Sequence, residues 1–199
     1  MSRKVFDIIT SAGGVAVVVA LLVAGGLLTW GHSFVNSNVH NQLAQQQIYF
    51  PPKAAFEHPK AGTEIAPSMI PSVSQYAGQQ LLTGQQAHTY ADDFIAVHLS
   101  EMPYGGVYAK LSTAARANPT NKTLATFEAT SFQGTTLRGL LLEAYAFSEI
   151  GVVMLWGAIA SFILAAIMSV LVGLGFWHAR QTSSETEMLQ SKVKPVPVS

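Results

Sequence analysis

Two histidines and three carboxylates crowd one stretch of the chain: His88, Asp92, Asp93, His98 and Glu101. His88 and Asp92 stand four residues apart, so on a helix both can offer a lone pair from one face to a single metal ion. His98 falls about 80° from His88 on a helical wheel, within the apolar stripe of Phe94 and Ile95. A catalytic metal takes three protein ligands and an open position, so another segment would have to supply the third. His40 and His58 exist, but their spacing does not nominate either. The simpler reading makes His98 a hydrogen-bonded core histidine and leaves His88 solvated. No catalytic, metal or cofactor residue is assigned.

Other chemistry is scarcer. No G-x-S-x-G, G-x-x-x-x-G-K-[ST] or G-x-G-x-x-G pattern occurs, and Gly105-Gly106 reads as a turn. The chain has no cysteine, which excludes disulfides, thiolate catalysis and Cys-ligated metal. Asn121-Lys122-Thr123 fits a glycosylation sequon. Charged residues make up 11% of the chain, against about 25% in an ordinary soluble domain. Eleven basic and eleven acidic residues cancel, so there is no basic footprint for nucleic acid.

The missing charge is explained by two uncharged runs, 8–31 and 150–177. A 24-residue helix is about 36 Å long and exceeds the ~30 Å hydrocarbon layer. The second run holds 28 residues, half of them Ile, Leu, Val or Phe. Trp30, Trp156 and Trp177 suit interfacial anchors. A cleaved signal peptide is the rival for the first run, but its apolar core is too long and no A-x-A site follows. Arg3 and Lys4 precede the first run, while Arg180, Lys192 and Lys194 follow the second. The 15 residues after Gly31 carry no Lys or Arg. The positive-inside rule then predicts cytoplasmic termini (1–7 and a disordered tail, 178–199) with 32–149 outside a plasma membrane. The outer segment has six basic and eight acidic residues. Glu143 and Glu149 read as interfacial carboxylates. Neither run has an ionisable residue, which argues against a transport pathway.

Each run carries small residues at four-residue spacing: Ala12, Ala16, Ala20 and Ala24 in one, Gly157, Ser161, Ala165, Ser169 and Gly173 in the other. Such ridges allow close backbone approach in lipid. They predict packing between the spans, with a membrane-protein partner, or with a second copy. Val35, Val39 and Leu43 continue the first helix until Pro51-Pro52. Leu137, Leu140, Leu141, Ala144, Tyr145 and Phe147 lead into the second, after a cap at Thr135 or Thr136. These stripes are expected to zip together as an antiparallel stalk. Between them come a Pro-rich loop (51–75), a short helix in 73–80, and a helix over 84–102 with the stripe Ala87, Ala91, Phe94, Ile95, Leu99 and Met102. A helix through Val107, Leu111 and Ala114 should stop at Asn118-Pro119, and another through Leu124, Phe127 and Ala129 should stop before Gly134. The fold expected is all-α: two transmembrane helices extended into an extracytoplasmic helical hairpin with a small all-α cap.

The stretch from Tyr90 through Asp92, Asp93 and Phe94 to Leu99, with Thr136-Leu137-Arg138-Gly139-Leu140-Leu141-Leu142 and Ala144-Tyr145, resembles a family of small two-pass actinobacterial membrane proteins. The likeness covers roughly 80–175. It implies a bacterial plasma-membrane protein facing the cell envelope, and it supplies no activity or catalytic residue. The expectation is a non-enzymatic scaffold or accessory subunit of an envelope membrane complex, with the lipid bilayer as its solvent. The alternatives are an extracytoplasmic sensor or ligand-binding module, and a metal-dependent enzyme using His88 and Asp92.

Overall fold

The computed structural model describes residues 3–181 and is helical throughout apart from turns and one isolated antiparallel bridge, Tyr49 to Gln80. In chain order the α-helices are α1 (Arg3–Gln46), α2 (Ile70–Val73), α3 (Gly84–Thr89), α4 (Ala96–Ser100), α5 (Tyr108–Ala117) and α6 (Lys122–Gln181). A π-helical segment, Tyr90–Ile95, joins α3 to α4 without a break. Two helices, α1 and α6, are long and apolar enough to cross a membrane. The predicted stop before Gly134 does not occur, nor does a cap at Thr135 or Thr136. Asn121 begins α6 instead: its Oδ1 accepts the N–H of Leu124 at 3.1 Å. Gly134 is kept small by a neighbour, since a Cβ there would lie 2.9 Å from Leu99 Cδ2. The tail expected at 178–199 lies outside the described residues from 182 onward.

The described chain forms two compact units. Of the described residues, the first joins the segments 3–30 and 154–181. On α1 the less exposed positions include Asp7, Ser11, Gly14, Val18, Leu21, Gly25 and Leu28, alternating by three and four. On α6 they include Met154, Ala158, Ser161, Ala165, Met168, Val172, Gly175 and Ala179, with the same alternation. A mean step of 3.5 residues is the seam of a left-handed pair. Glycines make the close approaches. A Cβ on Gly25 would sit 2.9 Å from the Phe162 ring, one on Gly157 3.2 Å from Leu28 Cδ1, and one on Gly175 would collide with Ser11. These contacts set an antiparallel register.

The second unit, 31–153, holds the packed core. Gln47 ends α1 in the left-handed region at φ 52°, and Gln80 Nε2 donates to Ala44 O at 3.1 Å. Beside the Tyr49–Gln80 bridge, Phe50 N–H donates to Gln79 O and Leu81 N–H to Ile48 O, both at 2.9 Å. The Pro-rich segment is therefore tied at both ends. It is more ordered than a loop: it contains short 3-10 turns and α2, and it buries Ile65, Met69 and Val73 almost completely. The short helix expected in 73–80 starts earlier, as α2, and continues into that range as a 3-10 turn, Ser74–Tyr76. Over 77–80 the chain runs into the bridge. Thr83 and Gln86 start α3 with reciprocal side-chain bonds, a capping box. Ala87, Ala91 and Ile95 then pack into one cluster with Val39, Leu43, Phe50 and Leu141. Met102 ends in a turn through Pro103–Gly106, and α5 stops at Ala117 before Asn118-Pro119.

Candidate functional site

The acidic and histidine cluster folds into a helix-to-helix tie. Arg138 on α6 donates to Asp92 Oδ1 from Nε at 3.0 Å and from Nη2 at 2.7 Å. His88 Nε2 lies 3.4 Å from Asp92 Oδ2, and its ring packs on Tyr145 at a 4.5 Å centroid distance. The chain brings His88 and Asp92 together as their spacing predicts. It also sets a guanidinium on the same carboxylate, and that positive charge opposes a metal cation there. His98 Nδ1 pairs with Phe94 O at 2.9 Å within its own helix, and Glu101 Oε2 accepts from Gly62 N–H at 3.2 Å. His40 and His58 are exposed. Among the described residues no three His, Cys, Asp or Glu side chains converge on a point. The Arg138 partnership is what the sequence reading missed.

Tyr90 sits in the core against Phe50 (5.2 Å, edge-on) and Phe94 (4.8 Å). Burial raises its phenol above the usual range, and the carboxylate of Glu64 adds to the rise.

Within the first unit, the small-residue positions divide. Ala165 is buried, Ser161 is half-buried on the seam, and Gly157 touches Leu28. Ser169, Gly173, Ala12, Ala16 and Ala20 are exposed, while Ala24 is half-buried. A four-residue step turns about 40° past a full circle, so such a ridge winds off a seam whose mean step is 3.5. Asp7 lies on the seam with Oδ2 shielded from solvent and lacking a hydrogen bond, 3.8 Å from His178 Nε2. That spacing is an ion-pair distance beyond hydrogen-bonding reach.

Within the second unit, the stalk faces do not close as a zipper. His32 Nδ1 and Gly151 O meet at 2.8 Å, but a cleft of about 400 Å³ separates the helices farther along. On α6 two rows share the predicted stripe. Arg138 and Tyr145 point toward α3, Leu137, Leu140, Ala144 and Phe147 line the cleft, and Leu141, buried in the core, also closes the cleft floor. The rows are offset by one residue and hence by about 100°. On α1 Phe34, Asn38, Gln42 and Gln46 form the outer wall of the cleft, one residue from Val35, Val39 and Leu43, which form its inner side and belong to the core as well. Leu140 is 59% exposed and Phe147 49%, so large apolar groups form the rim.

Comparison with protein-family models, curated proteins and solved structures finds no match for this chain.

Proposed function

We propose that the chain is a two-span plasma-membrane protein with cytoplasmic termini, presenting residues 32–149 outside as a non-enzymatic scaffold or accessory subunit of an envelope complex. One observation supports the anchor most strongly. The most apolar stretches of α1 and α6 are only 17% and 6% buried, whereas the core helix of a soluble protein would hide that surface. Lipid is the solvent that accepts it. The exposed Ala12, Ala16 and Ala20 leave α1 a smooth face for a further membrane helix. Docking is the reading preferred over catalysis, because the best polar cluster is consumed by the Arg138–Asp92 tie. The resemblance to small two-pass membrane proteins fits the same assignment.

The natural absence of cysteine makes the test clean. In intact cells, an impermeant maleimide should label Glu57→Cys and spare Gln181→Cys until the membrane is opened. The opposite pattern would overturn the orientation. Affinity recovery from detergent extracts should lose membrane-protein partners, or a second copy, when Ala16 and Ala20 become Leu. Unchanged recovery would remove the docking role.

A further inference from the structure

From the cleft in the second unit we infer a binding site for one hydrocarbon chain of a membrane lipid, an inference that rests on the two-span reading. The floor is aliphatic, from Val35, Leu137 and Leu141, and offers no directional polar partner. Polar groups stay at the edges, Asn38, Gln42 and Gln46 on α1 and the exposed Glu143 on α6, and Asn38 is already engaged, its Nδ2 donating to Phe34 O at 3.0 Å. The dimensions select the occupant. From Phe34 to Gln46 is about 18 Å of helix, close to the ~15 Å that is half of a bilayer's hydrocarbon thickness. The cleft of about 400 Å³ runs along that length. Its total volume is ordinary for a small-molecule site.

Access follows from position along each helix. Phe34 stands three residues beyond the uncharged run 8–31, and Phe147 three residues before the run 150–177. Both helices continue unbroken through those points. A chain leaving the outer leaflet therefore meets Phe34 and Phe147 within the first turn outside the span, and Leu140 about two turns farther along the cleft. Burying a methylene there gains about as much as keeping it in the bilayer, so the site exchanges lipid instead of trapping it.

The test uses the full chain in nanodiscs of phosphatidylcholine doped with a phospholipid bearing a diazirine near the end of one acyl chain. After irradiation, adducts are mapped by mass spectrometry. The expected result is labelling of 137–147 alongside labelling of 150–177. Ala144→Trp fills the cleft and should cut the first at least fivefold while leaving the second unchanged. Gln42→Trp, from the opposite wall, repeats the test should Ala144→Trp fail to fold. Labelling confined to the spans overturns the lipid site and leaves the anchor intact, whereas labelling of neither region overturns the anchor itself. Cleft labelling indifferent to both tryptophans also overturns the site. So does disulfide-linked dimer through Leu140→Cys at the expense of labelling, because the occupant is then a second copy.

Discussion

Arg138 places both Nε and Nη2 on a single oxygen of Asp92, leaving the other carboxylate oxygen turned to His88. This fork fixes the π-helical segment to α6 and accounts for two charged residues within an otherwise apolar contact. Each partner is more than one-third exposed, so solvent screens the pair and its stability value is modest.

Asp92→Asn and Arg138→Ala should each lower stability by about 1 kcal/mol or less. The double variant should cost less than the sum of the two, since either change alone removes the same fork. Thermal unfolding of the detergent-solubilised chain measures both quantities. Strict additivity would show that the two side chains do not act together.

Gly106→Ala should be one of the most damaging small substitutions in the second unit. Its φ is +65°, and a Cβ would collide with the backbone carbonyl of Leu99. Left-handed backbone costs roughly 1–2 kcal/mol for an ordinary residue before any collision is counted. Its carbonyl also accepts the buried Ser131 hydroxyl at 2.6 Å. Gly62→Ala, at φ +76° in open space, isolates the backbone cost. Equal losses at the two sites would refute the steric account.

The seam register sets Leu21 against Ala165, between the Ser11–Gly175 and Leu28–Gly157 approaches. A Leu21→Cys, Ala165→Cys pair should therefore crosslink within one chain. Gly25→Leu should abolish that crosslink by displacing Phe162, whereas Ala16→Leu, on an exposed face, should preserve it. Loss of the crosslink in both would place the alanine face in the pair.

Alkaline pH should unfold the second unit through Tyr90. Its phenol is raised by burial and then by Glu64, so the neutral form is favoured in the fold. That stability is fully present below the ordinary phenol pKa of about 10 and is lost as pH rises through the higher folded value. Tyr90→Phe should flatten the alkaline limb of a stability profile and leave neutral pH nearly unchanged. An identical limb in the variant would assign the effect elsewhere.

The all-α fold and the two long apolar helices were legible because their signals are local: long uncharged runs, 3.6-residue stripes and proline punctuation. α5 ends where Asn118-Pro119 demands. Gly134 misled because glycine reads as a break, while here it makes room for Leu99, a neighbour 35 positions away in the chain. The Thr83-Gly84-Gln85-Gln86 order carries the T-x-x-Q spacing of a capping box, a local signal that the stripe reading passed over. The partnership of Arg138 with Asp92 is a 46-residue contact, and no periodicity carries such information. Splitting the Leu137 to Phe147 stripe into core and cleft rows likewise depends on what a third helix occupies. The seam glycines share a composition with many membrane helices, so spacing alone did not mark them.

The antiparallel bridge between Tyr49 and Gln80 acts as a clasp. With both ends of the intervening segment pinned side by side, its length is uncoupled from the placement of α1 and α3. Each doubling of such a loop costs only about 0.6 kcal/mol. Evolution, or an engineer inserting an epitope near Gly62, can therefore lengthen the exposed part of that stretch while Ile65, Met69 and Val73 hold the core and the helices on either side keep their places.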